Sequence, residues 1–201
     1  MRMTFARVAF MVIAIVVISA DANGQVAGSE QKTSSGDTTQ TVERTWVSDV
    51  NGRLVLVSQR IDERTTVTPD ESRTVTVVLE PGINGPLQET RRIEETERRF
   101  NGGIRHDTTE LMRDVNGRWH TVATRTAETT TTADGAQSSI EGIETPSLVA
   151  PSAPARLVQQ TTITVRKIGP ERWLRERHLY ELDPNGRMVL VESSTHETKQ
   201  E

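Results

Sequence analysis

Chemistry in this chain would have to come from its carboxylates, its four histidines or a few aromatic rings, because it contains no cysteine. Thiol nucleophiles and disulfides are thereby excluded. His106, His120, His178 and His196 fall at unrelated places in the sequence pattern and form no helical zinc-binding pair. They read as surface or strand-pairing residues rather than metal ligands. There is no Gly-rich phosphate loop and no nucleophile elbow. Carboxylates are abundant, 28 Asp and Glu against 24 Lys and Arg with the signs interspersed, so no pair nominates itself as an acid/base couple. The Glu/Arg-rich run from Glu89 to Arg99 reads as a solvated sheet face with cross-strand charge pairs. The expectation is a non-enzymatic protein with no catalytic residue, cofactor or metal site. The aromatic residues Trp46, Trp119, Trp173 and Tyr180 are the candidates for contact with a ligand or partner. On an open sheet they form a stacking platform for a glycan or partner strand, or else they plug a scarce core by cross-strand packing.

The elements that must position these rings are announced by one phrase, Asp-Xaa-Asn-Gly-Arg. It occurs as Asp49–Arg53, Asp114–Arg118 and Asp183–Arg187. It is not a calcium loop, since the alternating oxygen ligands and the distal Glu are missing. Pro184 fixes the turn type. Proline has no N–H for a strand ladder, but it suits the second position of a type I turn. Asp then opens the turn and Gly closes it with positive φ, which makes a type I turn with a G1 bulge. In that register Asp49 faces Arg53, Asp114 faces Arg118 and Asp183 faces Arg187, each an opposite-charge cross-strand pair.

The phrase also acts as a ruler. Asn51, Asn84, Asn116 and Asn185 are 33, 32 and 69 residues apart, close to one, one and two periods of about 33. Further turn signals lie between them at Pro69-Asp70, Asn101-Gly102-Gly103, Asp134-Gly135 and Gly169-Pro170. All six Asn are followed by Gly. The segments between are β-branched, as in Thr74–Leu79 and Thr161–Val165. Glu89–Arg99 and Glu171–Leu182 carry helical signals, yet each occupies a strand slot of the repeat and is assigned as strand. Residues 140–156 contain Pro146, Pro151 and Pro154 among Ala and Ser and read as a long loop replacing one hairpin tip. The predicted fold is all-β: an antiparallel meander of about eight to ten long strands, single-layer or thinly covered and twisted. The strand domain spans 41–201.

Residues 1–22 read as a signal peptide, with Arg2 and Arg7 before an apolar run from Val8 to Ile18 and an A-x-A site at Ala20-Asp21-Ala22. Residues 23–40, rich in Gly, Ser, Thr and Gln, read as a disordered leader. Seventeen hydrophobic residues fall in Met1–Ala22, which leaves the remainder poorer in apolar groups than ordinary globular domains. A formal net charge of −4 gives no electrostatic reason to bind nucleic acid. An outer-membrane barrel is disfavoured, because Arg91-Arg92-Ile93-Glu94-Glu95 cannot face hydrocarbon. No stable membrane insertion is expected once the signal is removed.

Asp49-Val50-Asn51-Gly52-Arg53-Leu54 resembles the Asp-x-x-Gly-Arg-Leu heart of the YD repeats in RHS-type secreted proteins. The Tyr before Asp is absent here, where Ser48, Arg113 and Leu182 stand, and the later copies have Trp119 and Met188 in place of Leu. The resemblance implies an exported β-sheet protein and carries no site residue across. The functional expectation is a periplasmic or extracellular scaffold or interaction module whose sheet edges pair with another envelope protein or with a second copy. The alternative is a carbohydrate-binding module that holds a polysaccharide on its exposed aromatics.

Overall fold

The computed structural model describes residues 11–13, 26–82, 85–147 and 154–199. These residues form antiparallel strands and no helix. In chain order the strands are β1 (Met11–Ile13), β2 (Val26–Ser35), β3 (Thr38–Ser48), β4 (Leu54–Thr68), β5 (Glu71–Pro81) and β6 (Leu87–Phe100). They continue as β7 (Gly103–Arg113), β8 (Trp119–Thr131), β9 (Gln137–Thr145), β10 (Arg156–Gly169), β11 (Arg172–Leu182) and β12 (Met188–Lys199). Hydrogen-bonded order follows sequence order from β1 to β12, so the topology is an open meander. Eleven strands are long and β1 has three residues. The two stretches with helical signals are strands β6 and β11, as the turn spacing predicts.

Two boundaries differ from the sequence reading. Residues 26–40 of the expected disordered leader are in the sheet, as β2 and the start of β3. Gly36 has φ 57° at the first position of the two-residue turn Gly36-Asp37, the place that a type II′ turn reserves for glycine. The low apolar content that signals disorder does not prevent pairing. Ser34 bonds Thr39 across the hairpin at 3.4 Å, and the hydroxyl-rich side chains favour strand once a neighbour is present. The loop expected over 140–156 is shorter, because Ile140–Thr145 finish β9 in register with β8 and Arg156 opens β10. Pro146 and Pro154 lie outside the strands, as their missing N–H requires. The signal reading over 1–22 falls outside the described residues except Met11–Ile13, whose backbone pairs with Lys32–Ser34. Residues 23–25 and 148–153 also lie outside them.

The Asp-Xaa-Asn-Gly-Arg phrase builds one turn in all three places. Gly52, Gly117 and Gly186 N–H donate to the carbonyls of Asp49, Asp114 and Asp183 at 2.9 Å. Each Asp N–H returns a bond to the carbonyl of the Arg four residues on, at 2.8, 2.9 and 2.8 Å. The glycines have φ of 74, 80 and 78°, as a type I turn with a G1 bulge demands. The expected charge pairs take a different form. Asp49 Oδ1 accepts the backbone N–H of Asn51 and of Arg53, both at 2.8 Å, and Asp114 does the same with Asn116 and Arg118 at 2.9 Å. Asp183 Oδ1 accepts from Arg187 N–H at 2.8 Å. A short carboxylate in a tight turn lies closer to the amides just ahead than to a guanidinium on the opposite strand. The same backbone pattern closes Gly82–Pro86 and Thr132–Ala136.

Extra residues interrupt the ladders at fixed places. Thr45 pairs Ser58 while Trp46 pairs Leu56, so Val57 is bulged. Leu179 pairs Glu192 while Tyr180 pairs Leu190, so Val191 is bulged at the equivalent point after its turn. Val67 and Ile168 are bulged beside Pro69-Asp70 and Pro170-Glu171. Each bulge increases local twist and re-aims the side chains that follow.

The chain divides into two compact units, Met1–Glu94 with Met112–Trp119, and Glu95–Leu111 with His120–Glu201. In the first unit Val42, Ile61 and Val77 form a row on one face, and Thr41, Asp62 and Thr76 form a row on the other. Among the described residues no hydrophobic side chain is buried, and Thr76, 6% exposed, is the one buried residue. Its hydroxyl donates to Asp62, whose carboxylate also takes Arg60 Nε at 2.9 Å. In the second unit Asp107 receives Arg105 Nε at 3.1 Å and Thr126 Oγ1 at 3.3 Å. Ladder hydrogen bonds and such cross-strand pairs, each about 0.2–1 kcal/mol, therefore do work that a core does elsewhere.

Candidate functional site

In the second unit, β12 pairs with β11 from Arg172↔Lys199 to Leu182↔Met188. Among the described residues its other edge has no strand partner, and β12 is the last strand in the order. Every side chain from Val189 to Thr198 is exposed. Leu190 and the bulged Val191 are 52% and 50% exposed. The strand contains no proline. On the β11 side it is fastened by Arg177–Glu192 at 2.7 Å, by Arg172–Glu197 and by Ser193 Oγ to His178 Nδ1 at 3.1 Å. Those ties leave the outward backbone groups available. An unpaired row of N–H and C=O groups is a template for another strand.

The four aromatics sit in different settings. Trp46 is half-buried on β3, beside the Val57 bulge and opposite Leu56. Trp119 opens β8, half-exposed, with the Arg92 guanidinium 5.6 Å from its ring centroid. Glu89 accepts from Arg92 Nε at 2.8 Å, and this hydrogen bond holds Arg92 charged above its ordinary pKa. Trp173 lies on β11 opposite Lys167, whose Nζ is 5.9 Å from the ring centroid. Its ring reaches the Thr132–Ala136 turn, where a Cβ on Gly135 would stand 3.2 Å from Cη2. Tyr180 pairs Gln160 and Leu190. Seven residues apart on one strand, Trp173 and Tyr180 point to opposite faces. They cannot stack on the same ligand. Trp173 fastens a hairpin tip, while Tyr180 stays on a polar face.

That polar face carries two adjoining depressions. Thr130, Ser138, Thr164 and Glu176 lie in one cross-strand row and line a hollow of about 540 Å³ with Arg166 beside it. A second hollow of about 380 Å³ shares Thr130 and Ser138 and extends past Ile140 and Gly142 to Leu157 and Gln160. Gly142 has no side chain to obstruct Leu157, which a Cβ there would approach to 3.1 Å. Gly142, Gln160 and Tyr180 form the next row but one, which puts Tyr180 at the border of the furrow. The hydroxyls, amide and carboxylate offer both donors and acceptors to a polar ligand.

Neither the β12 edge nor this furrow is legible as a site in the sequence. The threonines read only as strand formers, and an edge is defined by the neighbour it lacks. The one signal in the sequence is the apolar run Met188-Val189-Leu190-Val191 following a turn. Among the described residues no three His, Asp or Glu side chains converge as a metal site. At the tip beside Trp173, Asp134 is held below its ordinary pKa, first by the Thr132 hydroxyl and then by backbone hydrogen bonding.

No protein-family model and no curated protein matches the chain. A crystal structure of a protein of unknown function from Bacteroides fragilis NCTC 9343 is similar over 94% of this chain and 94% of its own, at 9% identity and TM-score 0.33. At that TM-score it carries no argument about fold or function.

Proposed function

We propose that this is an exported, non-enzymatic β-hairpin repeat protein that acts as an interaction module of the cell envelope or its surroundings, joining an extended strand of another envelope protein to β12. The observation that carries the reading is the one-sided pairing of β12 together with the exposure of Val189 to Thr198. Main-chain bonds would supply the affinity, and alternate side-chain positions the selectivity. Export rests on the charged and apolar pattern of residues 1–22, and the repeat on the turn spacing of about 33 residues. Replacing Leu190 and Val191 by lysine places charge on the edge, a device that natural edge strands use against pairing. The double variant should no longer retain an envelope-fraction partner that the unmodified chain retains, nor self-associate in light scattering where the unmodified chain does, with circular dichroism unchanged. If the unmodified chain stays strictly monomeric and retains no envelope protein, the proposal fails.

A second reading has its own support in the furrow bordered by Tyr180. Polysaccharide would lie across Thr130, Ser138, Thr164 and Glu176 on the polar face of the second unit. A glycan array paired with Tyr180→Ala tests it. Binding weakened by that substitution supports this reading, and no binding to any glycan removes it.

A further inference from the structure

We propose that Asn101 is a site of spontaneous hydrolytic deamidation, and that turn geometry sets it apart from the other described Asn-Gly steps. In this reaction the backbone nitrogen of the following glycine attacks the Asn side-chain carbonyl carbon. The nitrogen gives up its proton, ammonia leaves, and a cyclic imide forms. Water then opens the imide at either carbonyl, leaving aspartate or an isoaspartyl linkage. The balance is amide plus water to carboxylate plus ammonium, with no oxidant or enzyme needed. Glycine is the most permissive follower because no side chain shields its nitrogen.

Four such steps are described: Asn51-Gly52, Asn101-Gly102, Asn116-Gly117 and Asn185-Gly186. All four asparagines are exposed, so access of water does not separate them. The glycine nitrogen does. Gly52, Gly117 and Gly186 each donate their N–H to the carbonyl of the turn's first residue at 2.9 Å, and closing the imide requires that bond to break. Gly102 sits in a two-residue loop between β6 and β7, with φ 83° at the position where a type II turn uses glycine. Its N–H makes no such turn-closing bond to a backbone carbonyl among the described residues. Its carbonyl accepts Thr131 N–H at 2.6 Å, which anchors the loop without engaging the nucleophilic nitrogen. The tip of the β6–β7 hairpin thereby acquires a negative charge as the protein ages.

The test incubates the full chain at mildly alkaline pH, folded and in concentrated urea, and follows each Asn-Gly peptide by mass spectrometry. In the folded protein Asn101 should convert roughly fivefold or more faster than Asn51, Asn116 and Asn185, about the factor of one net hydrogen bond. In urea the four rates should converge. Equal rates at the four sites of the folded chain, or Asn101 among the slowest, would overturn the proposal.

Discussion

At the scale of single residues, the turn aspartates illustrate what a sequence does and does not carry. Pro184 alone dictates a type I turn, since its ring fixes φ and its nitrogen cannot join a ladder. The structure has that turn, with Gly186 at φ 78°. The fate of the carboxylate is not legible in the same way, because Asp and Arg four residues apart look like a charge pair. In three dimensions Asp183 Oδ1 instead accepts the Arg187 backbone N–H. Asp183→Ala should therefore cost about 1 kcal/mol, a net hydrogen bond, and Asp183→Asn should recover most of it in urea unfolding. A salt-independent loss distinguishes this from a surface ion pair, which salt screens. Asp134 supplies a pH counterpart. Its folded pKa is depressed, so its contribution is fully present above the ordinary carboxylate value and fades as pH falls through the lower folded value. Thr132→Val removes the leading cause, and NMR titration should show Asp134 moving up toward an ordinary aspartate.

At the scale of elements, alternation and turn spacing outweigh local helical signals. Glu94 and Glu95 sit four residues before Arg98 and Arg99, which suits a helix, but β6 sends them across the sheet instead. Glu94 takes Arg73 at 3.0 Å and Glu95 takes His106 at 3.3 Å. The bulges are less accessible to sequence reasoning, because an extra residue is defined only against a partner strand. The recurrence of Val57 and Val191 four residues after the turn Arg is visible beforehand, but its meaning emerges only from the register. Trp173 belongs to this scale too, since it ties β11 to Lys167 on β10 and to the 132–136 tip. Trp173→Ala should destabilise by about 2 kcal/mol, less than a fully buried Trp because the ring is half-exposed. Hydrogen exchange would be expected to rise first at Gly135 and Ala136. Uniform acceleration along β11 would argue against a role at the tip.

At the scale of the whole molecule, composition foretells the lack of a buried hydrophobic core among the described residues, and the recurring turns foretell the meander. The extra strand from the Gly/Ser/Thr-rich leader is hidden, because hydroxyl-rich sequences gain strand structure only from the neighbour that pairs with them. A sheet so poor in buried apolar groups exposes little new apolar surface on unfolding. Calorimetry should give a heat-capacity increment below the usual range of about 12–15 cal/mol/K per residue, and a value within that range would point to burial not seen here. The proposed function rests on the outward edge of the final strand, which has no strand partner among the described residues. Backbone hydrogen exchange over Met188–Lys199 reads that edge, in dilute protein and in any assembly the chain forms. Under strand addition at β12, the amides facing β11 are protected in both states, while the alternate, outward amides exchange rapidly when dilute and become protected on assembly. Outward amides already protected in the dilute protein, or unchanged in every assembly the chain forms, would contradict it.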